Sequence, residues 1–425
     1  MTCINCFFES DHQKLIKKST FGSSLRFEDK IEKYKQLFFN ELSNLVPVCQ
    51  CTCGYQSANS DYNAWVDAFM NDAKANRSAF EMVFDDLKKI YVCYVAKSPK
   101  HASDELWEFV NSNDLIGRAE NPLFYIKLLY RARPKDPSYD PNNALELFHV
   151  PYNKRSKIGN QRFSVSGQPM LYFANSILAA TMEMEKSLTD LSTAAFLPNF
   201  SIFNSFKIGE IKNYIFDTTV KSLPAIFGAG CQVSYNESRM APNHTTVVTD
   251  IQRSIMAEIF TFPTENKGAF VEEYVLPQLF TSLLIENGFK GIVFPSTKDY
   301  SSASGQHKFA EFAINFALFV NYSTSDLYDK PLYDAFHKFT IDGTETFLLS
   351  TTDVLAEFES IFNRNRTSAT QNNNDYVVPL CHEKLRIEYM ETASINGVPY
   401  YKSDEGKLEL EFCKKLAAKM ETLVK

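Results

Sequence analysis

The sequence predicts an α+β protein in which mainly helical segments flank a central region of strands. Apolar residues recur every three or four positions from Phe27 to Leu45 and from Tyr62 to Tyr94, as in amphipathic helices. From Asn121 onward, short segments rich in β-branched and aromatic residues alternate with turns. Helical patterns interrupt them only near residues 176–188 and 271–286, so the region lacks the regular βαβ alternation of a doubly wound sheet.

The individual elements follow from local signals. Ser103, followed by Asp104 and Glu105, predicts the start of a short capped helix. After about residue 321 the chain returns to helical patterns, with a hairpin turn at Asn396-Gly397 and a closing helix near 405–424. The strands are predicted in the segments LFYIKLLYRAR, ALELFHVP, PMLYFA, SIFNSFKIG, NYIFDTT, KGIVFPS and NFALFVNY.

These changes in the predicted secondary structure divide the chain into regions. We expect a cysteine-bearing cap over residues 1–55 and a helical region over 56–120. An α+β domain should follow over 121–320, and an α/β extension over 321–425.

The net negative charge of the chain limits the classes of binding partner that we expect. A net charge of −7 argues against broad attraction to nucleic acid or to an anionic membrane, although a local basic pocket can still hold a phosphorylated small molecule. We therefore expect small molecules or proteins as partners. The start MTCINCFFESDHQKL lacks the basic residues and apolar run of a secretory signal, and no later segment reaches transmembrane length without a charge or an amide. These observations predict a cytoplasmic protein.

Five of the nine cysteines cluster near the N-terminus. Cys3 and Cys6 form a C-x2-C pair, and Cys49, Cys51 and Cys53 follow in CQCTCG. Two thiolates from each group would complete a tetrahedral zinc site, and we assign it to Cys3, Cys6, Cys51 and Cys53, with Cys49 as a substitute. The alternative is a set of thiols near solvent that bind no metal.

The segment RFSVSGQPMLYFANSILAATMEME holds the first candidate for chemistry. PMLYFA is predicted as a strand that turns at Asn175-Ser176 into a helix. Glu183 falls beside the packed stripe of that helix, two turns from its start. The simpler interpretation of Glu183 is a solvated helix glutamate.

Several other polar residues stand near strand ends. Arg131 and Arg133 lie in or at the end of an apolar strand, where a guanidinium needs an anion, and the simpler interpretation is an internal ion pair. Arg162 precedes a strand at a turn, and is most simply a solvated loop cation. Ser296 follows the strand GIVFP, where a side chain is often presented at a sheet edge, and is most simply a turn serine.

Taken in order, these motifs resemble the RES domain, a family named for its arginine, glutamate and serine. The resemblance covers about residues 128–320 and rests on the LYRAR strand, the run RFSVSGQPMLY, the step from Tyr172 to Glu183, and the strand end GIVFPS. It is closest to the larger RES proteins with a cysteine-bearing helical N-terminal region. The chain departs from the family pattern in its irregular cysteine spacing and in an insertion at about 186–255.

The resemblance implies a fold related to the ADP-ribosyltransferases and an activity that consumes NAD+. Bacterial members act as toxins that break the nicotinamide–ribose bond, in some cases by phosphorolysis, and many are held in check by an antitoxin. The substrates implied here are NAD+ with inorganic phosphate or water. The residues that match the family by position are Arg131, Arg162, Tyr172, Glu183 and Ser296.

These residue types suit the cleavage of an N-glycosidic bond. A carboxylate at Glu183 would oppose the positive charge that develops on the ribose. Arg131 and Arg162 would bind phosphate oxygens, with Arg133 as a further substrate contact. Tyr172 would stack on nicotinamide or adenine, and Ser296 would bond an amide or a phosphate. Two alternatives stay open: a protein ADP-ribosyltransferase, and a non-catalytic module that binds nucleotides or proteins.

Overall fold

The computed structural model describes residues 2–20, 25–52, 60–118, 127–137, 140, 143, 145–211, 244–264, 268–298, 303–304, 313–341, 350–367 and 374–424. They group into two compact units. The first unit comprises Met1–Arg118, Gly159–Ser166 and Gly209–Gly288, and the second comprises Ala119–Ile158, Gly167–Ile208 and Phe289–Lys425. The segment predicted as the α+β domain, 121–320, thus contributes to both units.

The described part of the first unit is mainly helical. Its central helix, Arg77–Ala96, packs against four others, which are Phe27–Ser43, Pro99–Ser112, His244–Phe260 and Val275–Glu286. The helices are α1 (Ile4–Phe7), α2 (Ser10–Lys18), α3 (Phe27–Ser43), α4 (Ser60–Ala75), α5 (Arg77–Ala96), α6 (Pro99–Ser112), α9 (His244–Phe260) and α10 (Val275–Glu286). A short strand, β1 (Gly117–Arg118), pairs with Gly209 and Glu210 of β5 (Ile208–Glu210).

Aromatic side chains form the core of the first unit. Helix α3 buries Phe27, Ile31, Tyr34 and Phe38, which recur at helical spacing, as its sequence pattern predicts. The rings of Tyr34 and Phe38 both meet Phe84 of α5 edge to face, at centroid distances of 5.6 and 5.4 Å. Part of the aromatic excess of the sequence is therefore ordinary core packing.

The second unit is built on an antiparallel sheet. The six strands that lie mainly in this unit are β2 (Leu129–Pro134), β3 (Met170–Ala174), β4 (Leu191–Pro198), β6 (Gly291–Pro295), β8 (Ile314–Phe319) and β9 (Phe336–Thr340). They follow the order β6-β8-β3-β2-β4-β9, and each of their pairings is antiparallel. A small sheet joins β7 (Ala303–Ser304), β10 (Ser394–Ile395) and β11 (Val398–Pro399).

Helices cover one face of this sheet. Tyr130 on β2 and Ala195 on β4 pack in one apolar cluster with residues of the C-terminal helices, whereas Leu129 and Phe196, their neighbours along the strands, belong to the cluster on the other face. The helices of the unit are α7 (Ile177–Met184), α8 (Phe200–Phe203), α11 (Lys330–Asp334), α12 (Thr351–Thr367), α13 (Asn374–Thr392) and α14 (Asp404–Val424).

The mixed α+β class is confirmed, and so are the predicted strands in LYRAR, PMLYFA, GIVFP and NFALF. The predicted strand ALELFHVP is wrong over its described part, because residues 145–149 form turns and bends. Leu147 has a φ of 60°, which breaks an extended run, yet Leu147 and Phe148 are still buried in the core. Segment SIFNSFKIG contains α8 and then β5, and segment NYIFDTT lies outside the described residues.

Helix α6 begins earlier than predicted. Its N-cap is Ser98, whose hydroxyl oxygen accepts a hydrogen bond from the backbone N–H of His101 at 3.2 Å, and Pro99 occupies the first turn. Ser103, the predicted cap, lies inside the helix. Proline at the first helical position is the sequence signal that locates the start correctly.

No helix in the described part of the chain is long and apolar enough to cross a membrane.

Candidate active site

Glu183 and Ser296 are in direct contact in the second unit. The Ser296 hydroxyl donates a hydrogen bond to Glu183 Oε1 at 2.6 Å, and the Asn315 side-chain amide donates to the same oxygen at 2.7 Å. Both donors are buried, with exposed fractions of 1% and 5%, whereas Glu183 itself is exposed. Among the described residues, no donor to Glu183 Oε2 is present. Two buried donors therefore hold one carboxylate oxygen of a side chain that is itself exposed.

Strand ends bring these three side chains together. Asn315 lies at the start of β8, opposite Phe294 of β6 and Ala174 of β3. Ser296 directly follows β6, and its backbone N–H donates to the carbonyl of Ala313 at 2.6 Å. Its hydroxyl also accepts a hydrogen bond from the Lys298 backbone N–H at 3.2 Å, which orients it. Ser296 is thus a buried support for Glu183.

Helix α7 carries Glu183 and is held at its N-terminus. Ser176 is the N-cap and accepts from the Ala179 N–H at 2.9 Å. The Ile177 N–H donates to Glu409 Oε1 at 2.5 Å, and the Leu178 N–H donates to the Tyr400 hydroxyl at 3.4 Å. The N–H groups that the first turn of a helix leaves without internal partners are satisfied in this way. Residues of the C-terminal region therefore fix the helix that presents Glu183.

Arg131 extends from β2 toward β3 where these two strands part. Tyr130 and Ala174 form the one residue pair of their ladder, and beyond it the guanidinium of Arg131 donates to the backbone carbonyl of Tyr172. Arg131 is only 9% exposed, and its Nε atom has no hydrogen-bond partner among the described residues. No carboxylate among the described residues pairs with it. The expected internal ion pair is thus absent from the described part of the chain.

Burial makes the Arg131 charge costly. Burial lowers the pKa of Arg131 well below its ordinary value, and the neighbouring charge of Arg133 lowers it further. The neighbouring Tyr172 raises the pKa of Arg131. Burial also lowers the pKa of Arg133, whose guanidinium donates to the Phe148 carbonyl at 2.8 Å. Two guanidinium groups close to each other, one of them buried and lacking an anion, form an electrostatic environment that favours an anionic ligand.

Tyr172 lies on β3, the strand between β2, which carries Arg131, and β8, which carries Asn315. It lies opposite Ala317 in the β3–β8 ladder, so Asn315, two residues from Ala317, is its diagonal neighbour on the same face of the sheet. Such neighbours are about 7–8 Å apart. Tyr172 is half-buried, and the Asn315 amide holds Glu183. The second unit therefore brings Glu183, Ser296 and Asn315 into direct contact, places Tyr172 one diagonal step from Asn315, and joins Arg131 to the Tyr172 carbonyl.

Arg162 belongs to the first unit. It is 9% exposed, so the interpretation as a solvated loop cation is wrong. Its guanidinium donates to the Phe260 carbonyl at 3.1 Å and lies over the Tyr274 ring, 5.0 Å from the centroid. Nearby, the buried Lys17 ammonium pairs with Glu258 at 2.5 Å. Burial lowers the pKa of Lys17, Glu258 raises it, and the Arg162 charge contributes to the lowering.

Three of the cysteines predicted to bind metal converge in the first unit. The Sγ atoms of Cys3 and Cys6 are 3.7 Å apart, those of Cys6 and Cys51 are 3.8 Å apart, and all three Sγ atoms lie within 4.8 Å of one another. Cys49 is exposed and lies outside this group. Cys53, the predicted fourth ligand, lies outside the described residues.

Comparisons with known proteins gave no match: no family model, no curated protein and no solved structure matches this chain. The resemblance to the RES domain therefore rests on the sequence motifs.

Sequence reasoning missed Asn315 and the supporting role of Glu409. A single asparagine in the apolar strand INFALF carries no motif of its own. An amide at a buried strand position nevertheless needs a partner, and that requirement is the signal that could have drawn attention to it. Glu409 is also completely buried, but its helix reads as an ordinary amphipathic pattern in the sequence.

Proposed function

We propose that this protein cleaves the nicotinamide–ribose bond of NAD+, with inorganic phosphate or water as the acceptor of the ADP-ribosyl group. The observation that supports the proposal most directly is the carboxylate of Glu183, which is exposed yet held by two buried donors. A solvated glutamate on a helix keeps its rotamer freedom, whereas this one is held by two buried donors at the cost of side-chain entropy. Such preorganisation suits a carboxylate that must meet a developing charge.

The chemistry requires stabilisation of a cation. Breaking the bond between ribose C1 and the pyridinium nitrogen leaves the electron pair on nitrogen, so that nicotinamide departs neutral and positive charge develops on the ribose. Glu183 Oε2 would face that charge or accept from a ribose hydroxyl. A phosphate oxygen or a water oxygen then bonds to C1, and water loses a proton in that step. Neither a metal nor a covalent intermediate is needed.

The pyrophosphate of NAD+ would compensate the buried charge of Arg131. A phosphate oxygen can accept from the Nε atom that lacks a partner, and Arg133 would add a second positive charge. Tyr172 would offer an aromatic face for nicotinamide or adenine. Arg162 lies in the first unit, and its proposed role as a phosphate ligand rests on the resemblance alone.

An enzyme that removes NAD+ without control would harm the cell that makes it. From the resemblance to the RES domain we propose a role as a bacterial toxin or defence effector, with an antitoxin or regulatory protein as its partner.

The deciding experiment measures NAD+ loss by the purified protein with and without inorganic phosphate, and identifies the products by mass. Nicotinamide with ADP-ribose-1″-phosphate, or with ADP-ribose when phosphate is absent, is the expected result. Glu183→Gln should lower the rate by at least about 100-fold, because it removes charge from the position facing the ribose. Glu359→Gln is the control, since Glu359 is also an exposed helix glutamate of the second unit and pairs with Lys384 at 3.4 Å; its rate should be unchanged.

Other outcomes identify the alternatives. Transfer of labelled ADP-ribose to protein, without free products, would indicate a protein ADP-ribosyltransferase. Binding of NAD+ without turnover, unaffected by Glu183→Gln, would indicate a non-catalytic nucleotide-binding module. Either result would overturn the proposed reaction.

A further inference from the structure

We infer that Cys3, Cys6 and Cys51 bind a structural zinc ion in the first unit. In a tetrahedral site with Zn–S bonds of about 2.3 Å, neighbouring sulfur atoms are about 3.8 Å apart. The two measured Sγ separations, 3.7 Å and 3.8 Å, have this value. These cysteines have no role in the proposed cleavage of NAD+, and the inference does not depend on that proposal.

The backbone holds the ligands in place. Cys3 is the N-cap of α1 and Cys6 lies within that helix, so one helical turn presents both thiols on the same side. The Val46 N–H donates to the Thr2 carbonyl at 3.1 Å, which joins the N-terminal segment to the chain that leads to Cys51. Cys3 is completely buried, whereas Cys6 and Cys51 are half-buried. The site is therefore assembled from two segments that are already hydrogen-bonded to each other.

The ligand type selects the metal. Three thiolates favour a soft or borderline cation, and zinc in closed structural sites is held by cysteine with or without histidine. Cys49 is not in the converging group, and it provides a matched control within the same short segment.

A second group of ligand-type side chains has a simpler explanation. Cys93, His101 and Glu105 also lie close together. Glu105, however, forms ion pairs with Lys89 and His101, both at 3.4 Å, and the His101 side chain is 52% exposed. Ion pairing on neighbouring helices accounts for this group without a metal.

The zinc would connect residues 2–20 to the chain after α3. Within the connected segment, α2 carries Lys17, whose ammonium pairs with Glu258 of α9 and also donates to the Glu258 carbonyl at 3.0 Å. Zinc binding would therefore stabilise the contact between α2 and α9. Because thiols lose their protons when they bind zinc, acid should release the metal and weaken this contact.

Elemental analysis of the full-length protein tests the inference directly. Protein made without a histidine tag and purified without chelator should contain close to one zinc per chain. Replacement by cobalt should give the thiolate-to-cobalt charge-transfer band and the visible absorption of a tetrahedral thiolate site. Cys51→Ser should lose the metal, and Cys49→Ser should retain it. Chelation should lower the thermal unfolding midpoint of the wild type and of Cys49→Ser.

The wild-type measurements decide the question even if Cys51→Ser does not fold. Zinc near background together with no cobalt charge-transfer band would overturn the inference. So would loss of zinc in Cys49→Ser with zinc retained in Cys51→Ser, because the geometry places Cys51 and not Cys49 among the ligands.

Discussion

Glu183 shows how two buried side chains can determine the position of an exposed one. Ser296 directly follows β6 and Asn315 lies in β8, and each donates to the same carboxylate oxygen. Loss of either donor would leave the carboxylate with more rotamers and fewer hydrogen bonds. Arg131 presents the opposite case, a buried cation whose Nε atom lacks a partner. A ligand that carries phosphate would bring these two residues into one reaction.

Asn315→Leu tests the supporting role of the amide. A hydrogen bond to a charged group contributes about 1.5–3 kcal/mol, so turnover of NAD+ should fall roughly 10-fold to 100-fold if Asn315 orients Glu183. The steady-state rate measures this, and the fall should appear in kcat more than in KM. Ser325→Ala, in an exposed loop of the same unit, is the control. An unchanged kcat in correctly folded Asn315→Leu would contradict the role.

Helix α7 is a short element whose position depends on distant parts of the chain. Its first N–H groups bond to Glu409 and Tyr400, and Glu409 also accepts two hydrogen bonds from the Arg386 guanidinium, both at 2.9 Å. Arg386 is on α13 and Glu409 on α14, and both are buried. The ion pair therefore couples two C-terminal helices to the helix that carries Glu183.

Glu409→Gln tests this coupling. The substitution removes the carboxylate that forms the ion pair with buried Arg386, so the free energy of unfolding should fall by about 3–5 kcal/mol. Denaturant titration followed by circular dichroism measures the change. Adding Arg386→Met should restore part of the loss, because the unpaired charge is removed. Glu405→Gln, at a half-buried position in the first turn of α14 with no ion pair to Arg386, should cost less than about 1 kcal/mol. An equal loss in Glu405→Gln would show that the coupling is not the cause.

On the scale of the whole chain, the C-terminal region is part of the core of the second unit. Residues of α12, α13 and α14 share one apolar cluster with Tyr130 of β2 and Ile177 of α7. Their buried members include Phe358, Leu380, Ile387, Met390, Phe412 and Leu416. Each such side chain contributes about 1.5–3 kcal/mol when it is buried, so the six together contribute about 9–18 kcal/mol, as much as the typical stability of a domain, about 5–15 kcal/mol.

A chain that ends at Ile341 should therefore fail to fold its second unit. We expect insoluble protein, or soluble protein with lost near-ultraviolet circular dichroism and a non-cooperative thermal transition. A chain that ends at Thr422, which keeps nearly all of α14, is the control and should unfold cooperatively. A soluble, cooperatively folded chain ending at Ile341 would mean that the C-terminal helices are a separate extension.

The sequence by itself determined the class of the protein and most of its regular elements. Strand β3, helix α7 and strands β6 and β8 follow from runs and periods of apolar residues, since burial imposes those patterns locally. It also singled out Glu183, Ser296, Arg131 and Tyr172 through the order of their motifs. It did not locate the turns at 145–149, where Leu147 and Phe148 enter the core without a strand.

Only the tertiary structure decided which of these residues meet. The order β6-β8-β3 brings Ser296, Asn315 and the helix after β3 to one place, and the separation of β2 from β3 buries Arg131 beside the Tyr172 carbonyl. Pairing between strands that are distant along the chain depends on the register of the whole sheet, and no local pattern encodes it. For the same reason, the grouping of 209–288 with the N-terminal helices and the burial of Glu409 could be seen only in the folded chain.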